Sequence, residues 1–167
     1  MVHETLILFP PFNHTLAFET SRVVTMGRML EYASSFNQPI SLDTSRVIDM
    51  KQMLHGASRY DQPLSFDTSR VTEMNQMLMH ASSFNQPIQL NTSRVTDMQS
   101  MFDSASSFNQ YLCWNVSSVS TDGMFTSSSG SFCSAFDDAT LSGAVDEWIN
   151  DADTTEAKYG HISTWDT

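Results

Sequence analysis

Phe12, Phe36, Tyr60, Phe84 and Phe108 recur with a constant 24-residue period, and Val23, Val47, Val71, Val95 and Val119 keep the same interval. Self-similarity at a fixed period of this length signals a stack of like units, each too small to bury its apolar side alone. The sequence therefore predicts a repeat array of five 24-residue turns. The first turn is degenerate, with His14 and Thr15 where later turns carry Gln and Pro. The fifth loses one residue between Val119 and Met124. Terminal units of such arrays are expected to be atypical, because one face has no neighbour.

Within the turn that starts at Phe36, the apolar positions are Phe36, Ile40, Leu42, Val47, Met50, Met53, Leu54 and Ala57. Ile40 and Leu42 flank polar Ser41, the alternation of a strand, and Pro39 is placed at its start, where a missing N–H is tolerated. Asp43, Thr44 and Ser45 are short oxygen-bearing residues that favour a turn. From Val47 to Ala57 the apolar residues fall three or four apart, which predicts a short helical segment. The expected architecture is an α/β repeat solenoid with short parallel strands and short helical segments.

Stacking converts each sequence slot into a column. Met26, Met50, Met74 and Met98 form one, and Met29, Met53, Met77 and Met101 another. Methionine fills irregular gaps, so core packing is favoured over a methionine-lined groove or thioether metal site. Arg22, Arg46, Arg70 and Arg94 form a basic column, with Asp49, Glu73 and Asp97 three residues on as compensating charges. It is read first as a solvated ion-pair lattice and second as an anion or sulfated-glycan surface. Glu19, Asp43, Asp67, Asn91 and Asn115 form an oxygen column, read as turn capping, with Asp43 and Asp67 the weak calcium candidates. Asn13, Asn37, Asp61, Asn85 and Asn109 run beside Gln38, Gln62, Gln86 and Gln110 as amide ladders. The outward rungs Gln38, Gln62, Gln86, Arg46, Arg70 and Arg94 are the candidate contact residues for a partner.

The formal net charge of −11 is uneven. Residues 12–130 hold seven basic and ten acidic side chains, whereas residues 131–167 hold eight acidic residues and Lys158. Such a balance argues against nucleic acid and against anionic membrane surfaces. The opening MVHETLILFPPF lacks a basic region, and its apolar run ends at a double proline, so it does not read as a signal peptide. No stretch has the length and apolarity of a transmembrane helix. The protein is thus either intracellular or a piece of a longer chain. Two cysteines, Cys113 and Cys133, are too few for a disulfide scaffold but sufficient for one bridge. The five histidines share no column, the serines lack a nucleophile elbow, and there is no Gly-rich phosphate loop. No enzyme and no cofactor are expected. Sequons stand at Asn13, Asn91 and Asn115.

The pattern F-N-Q-P-[IL]-x-[LF]-D-T-S-x-V-T-x-M-x-x-M-[FL]-x-x-A-S-S, over about residues 12–130, resembles the BspA-type surface-protein repeats. These occur in mycoplasma lipoproteins and in bacterial and algal proteins. The resemblance implies a right-handed, leucine-rich-repeat-like solenoid shown at a cell surface, with no catalytic residues. This chain departs from the commoner form in carrying Leu or Phe before the Asp, and Arg in place of Asn or Ser. The expected organisation is an N-terminal extension over residues 1–11, the array over 12–130, and an acidic C-terminal part over 131–167. That last part holds a cap helix with Leu141, Val145, Trp148 and Ile149 on one face, then the start of a possible further array. The expected function is a monomeric, non-catalytic interaction or adhesion module for a protein or extracellular glycan. A structural spacer, or a calcium-dependent glycan or matrix binder, is the alternative.

Overall fold

A computed structural model describes residues 12–133. The expected N-terminal extension and the cap helix lie outside them. Each repeat unit forms one coil, and consecutive coils stack through backbone hydrogen bonds between residues one repeat, or nearly one repeat, apart. The coil around Val47 shows how the sequence sets this geometry. Asp43 Oδ1 accepts from the Ser45 N–H at 3.0 Å, and the Val47 N–H closes a turn on the Thr44 carbonyl at 2.9 Å. The chain then runs briefly alongside its neighbours. Thr25, Asp49, Glu73, Asp97 and Ser120 form single parallel bridges from coil to coil. The last step, from Asp97 to Ser120, is one residue shorter than the others, which is the deletion seen in the fifth repeat.

The helical segments expected after Val47 are absent. Among the described residues there is no helix, and the only strands are β1, Tyr111–Leu112, and β2, Ser131–Phe132. The α/β reading is therefore incorrect, and the backbone shows why. The N–H groups of Met50, Gln52, Leu54 and Gly56 donate along the stack to the carbonyls of Glu73, Asn75, Met77 and Met79. Those of Met53, His55 and Ala57 donate within the coil to Met50, Gln52 and Leu54, three residues back. Alternate N–H groups thus point to the next coil, leaving no continuous run of bonds four residues back. Gln52 and Gly56 have φ of 56° and 71°, which no right-handed helix admits. The same pair of left-handed positions recurs at Arg28 and Tyr32, Gln76 and His80, Ser100 and Ser104, and Gly123 and Ser127. Overlapping turns place apolar side chains three or four residues apart, as a helix does, so periodicity does not separate the two.

The strand expected at Ile40–Leu42 is also missing from the first four coils, and in the second to fourth proline explains it. Pro39, Pro63 and Pro87 share one slot, and none can donate to a ladder. The fifth coil has Tyr111 there, and at that step β1 pairs in parallel with β2, Tyr111 opposite Ser131 and Leu112 opposite Phe132. This pairing joins residues 131–133 to the last coil.

The core is a set of columns along the stack axis. Val47, Met50, Met53, Leu54 and Ala57 are fully buried, as are Val71, Met74, Met77, Leu78 and Ala81 in the next coil. Both methionine columns line the core, with Met29 only partly buried against it. Phe12, Phe36, Tyr60, Phe84 and Phe108 stack nearly parallel, with centroids 5.8 to 6.1 Å apart. That spacing is an offset-stacked aromatic contact repeated four times. Tyr60 is the one tyrosine in this column, and its buried Oη has no hydrogen-bond partner among the described residues. The slot thus requires a ring and makes no use of the hydroxyl.

Candidate functional site

The polar columns differ in how much of their bonding capacity the fold consumes. In the amide ladder, the Oδ1 of Asn13, Asn37, Asp61 and Asn85 accepts from the backbone N–H one coil on, at Asn37, Asp61, Asn85 and Asn109, over 2.9 to 3.1 Å. Each of these oxygens also accepts from a glutamine of that next coil: Gln38, Gln62, Gln86 and Gln110 Nε2, at 2.9 to 3.2 Å. Gln38, Gln62 and Gln86 are half-buried. Their amide nitrogens face the neighbouring coil, so these candidate contact residues stitch coils together. A second ladder was not legible as a column. Arg28 Nε donates to Gln52 Oε1 at 2.8 Å, and Gln52 Nε2 to Gln76 Oε1 at 2.7 Å.

The oxygen column caps turns. Asp43 Oδ1 accepts from the Ser45 N–H and hydroxyl at 3.0 and 2.6 Å, and Asp67 Oδ1 from the Ser69 N–H at 3.0 Å. Asn91 and Asn115 make the same bonds to Ser93 and Ser117. These donors stabilise the carboxylate form and hold Asp43 and Asp67 below the ordinary range, Ser45 and Ser69 hydroxyls first. The weak calcium candidates Asp43 and Asp67 are thus engaged as caps. No group of three or more His, Cys, Asp or Glu close enough to hold a metal ion occurs among the described residues.

Arg22, Arg46, Arg70 and Arg94 are exposed. Among the described residues no ion pair joins them to Asp49, Glu73 or Asp97. Asp49 and Asp97 are used locally instead. Asp49 accepts from Thr25 Oγ1 at 3.2 Å and from the Lys51 N–H at 2.9 Å, and Asp97 from the Gln99 N–H at 2.9 Å. The guanidinium heads make no hydrogen bond to any described residue.

A further cluster escaped the column reading. His55 is 7% exposed and lies between Tyr32, at 4.9 Å, and His80, at 5.7 Å between ring centroids. Its Nδ1 sits 3.4 Å from Glu31 Oε1. Glu31 and His55 stand one repeat apart, so the missed signal was a shared slot just before the second left-handed position. Gly56 beside them is required. A Cβ there would stand 2.6 Å from Tyr32 Cδ1.

Burial lowers the His55 pKa, and His80 and Arg28 push it down further, against the pull of the Glu31 carboxylate. With the folded value below the unfolded one of about 6.5, the unfolded chain binds the proton more readily. This stability is therefore intact above about pH 6.5 and falls as pH drops through the histidine range. Urea midpoints at pH 7.5 and 5.5 are expected to differ, with the lower at pH 5.5. His55→Gln should remove most of that difference. An unchanged difference would assign the acid sensitivity to other groups.

Against this geometry stands one family match. The family described as "Mycoplasma protein of unknown function, DUF285" matches residues 9–66, 41–139 and 65–165 in overlapping segments. The chain belongs to the DUF285 family. Three overlapping matches along one chain are what a repeated unit produces, in step with the stacked coils. No curated protein and no solved structure matches the chain.

Proposed function

We propose that this DUF285 chain is a non-catalytic interaction module of a cell-surface or extracellular protein, working through its arginine column. One observation carries the reading. Of the repeated polar columns, the Oδ1 atoms of the amide ladder bond to the next coil and those of the caps to their own turns, whereas the guanidinium heads of Arg22, Arg46, Arg70 and Arg94 are exposed and unpaired among the described residues. Evenly repeated cations allow weak contacts to add along one face. The likeness of the repeats to BspA-type surface proteins supports a surface location. So does the disulfide between Cys113 and Cys133, since such bonds persist mainly in oxidising compartments. The partner class is a protein or extracellular glycan presenting carboxylates or sulfates, which guanidinium groups grip in bidentate fashion.

Binding to immobilised heparin and to a panel of matrix proteins tests this. The triple variant Arg46→Ser, Arg70→Ser, Arg94→Ser is expected to lose about tenfold in affinity, roughly 1.4 kcal/mol, with an unchanged melt. Undiminished binding by the variant places the contact elsewhere. Absence of binding by both proteins favours the structural spacer.

A further inference from the structure

The oxygen column changes chemistry part-way along the stack. Its rungs are Glu19, Asp43 and Asp67, then Asn91 and Asn115. All five serve one structural purpose, an oxygen that accepts from the backbone N–H two residues on, at 3.0 to 3.2 Å. A backbone N–H can meet only the oxygen of a carboxamide, so this bond fixes Oδ1 inward and turns Nδ2 away. Aspartate does the capping equally well at Asp43 and Asp67. The nitrogen that distinguishes Asn91 and Asn115 therefore has no role in the turn. Both asparagines are exposed, and neither Nδ2 has a hydrogen-bond partner among the described residues. Each sits in a sequon, Asn91-Thr92-Ser93 and Asn115-Val116-Ser117. The sequon hydroxyls also donate to the asparagine oxygen, Ser93 Oγ at 2.7 Å and Ser117 Oγ at 2.9 Å. The residue that identifies a sequon is thus held beside the carboxamide it marks.

We propose that Asn91 and Asn115 are acceptor sites for an N-linked glycan. The co-reactant is an oligosaccharide carried on a polyprenyl pyrophosphate. Nδ2 attacks C1 of the first sugar, and a C1–N bond forms as the C1–O bond to pyrophosphate breaks. The electron pair leaves with the pyrophosphate oxygen, and Nδ2 gives one proton to a base of the transferase. The bonds to Oδ1 fix the orientation of the carboxamide, so the nitrogen stays outward for the enzyme. The sites lie one coil apart, close to the strand spacing of about 4.8 Å, so a glycan on one crowds the other. A singly modified product is expected to predominate. Asn13 provides the contrast. Its sequon with Thr15 lacks this turn, and its Oδ1 is taken by the Asn37 N–H and Gln38 Nε2 of the next coil.

The test uses the folded 167-residue chain, a purified oligosaccharyltransferase and its polyprenyl-pyrophosphate-linked donor, read by intact mass and peptide mapping. Glycan on Asn91 or Asn115, with Asn13 unmodified, is the expected result. The double variant Asn91→Asp, Asn115→Asp keeps both caps, should melt as the parent does, and should gain no mass. A parent chain that takes no glycan overturns the proposal. So does a map that places the glycan on Asn13, which needs no variant to read.

Discussion

Phe84→Ala is expected to lower the unfolding free energy by about 3–5 kcal/mol, the largest effect of any single side chain considered. The ring is fully buried, and its faces stack on Tyr60 at 6.1 Å and Phe108 at 6.0 Å. Both neighbours are themselves held in the column, so neither can move in to fill the void. Truncation therefore loses the transfer energy of the ring and leaves a cavity as well. In a stack whose coils touch only their neighbours, such damage is local to one interface. Coils on either side should uncouple, and the urea transition should broaden or split rather than simply shift. The same change at Phe12 should cost less than half as much, because that ring is only partly buried and among the described residues stacks on Phe36 alone. Urea unfolding followed by far-ultraviolet circular dichroism decides it. A loss below about 1 kcal/mol at Phe84 is incompatible with a closed aromatic column, for which the usual loss is several times larger.

The repeat period, the stacked columns and most of the core were legible in the sequence, because repetition reports directly on which residues sit above one another. Local backbone conformation was not. Met50, Met53, Leu54 and Ala57 satisfy a helical spacing, yet they belong to overlapping turns with left-handed residues at Gln52 and Gly56. Only Gly56 and Gly123 carry a residue type that advertises positive φ. Gln76, His80, Ser100 and Ser104 adopt it because bonds to the next coil hold them there. The predicted strands failed at Pro39, Pro63 and Pro87 and formed where Tyr111 replaces proline, so the rule was legible but its weight was misjudged. At the surface, the arginine column lies exposed as its charge suggests. The glutamines do not, because an amide beside a stacking coil finds its partners within the stack. Ion pairing three residues on from each arginine was a statement about sequence distance. Asp49 instead finds donors in Thr25 and Lys51.

Reduction of the Cys113–Cys133 disulfide is expected to lower stability by about 3 kcal/mol, the loop-entropy value for a closure of this length. The bond spans 20 residues and joins the start of the fifth coil to the residue after β2. It lies at the last step of the described stack. The fifth coil is one residue short, and its backbone holds residues 129–133 through the β1–β2 pairing and through bonds from Ser129 to Phe108, Ser131 to Gln110 and Cys133 to Leu112. The closure keeps these ends together in the unfolded chain, so β1 and β2 re-form from a restricted ensemble. Packing there also demands a small residue, since a Cβ on Gly130 would stand 2.6 Å from the buried Phe108 ring. Without the covalent link, this last step should fray first. Melts with and without reductant, alongside Cys113→Ser with Cys133→Ser, should show the same loss for the reduced parent and the double variant. Hydrogen exchange should localise the loss to residues after Phe108, leaving the bonds from Met50 to Glu73 and from Met74 to Asp97 protected. A uniform loss of protection along the stack would mean that the coils unfold as one unit. The disulfide would then be holding the whole array rather than its end.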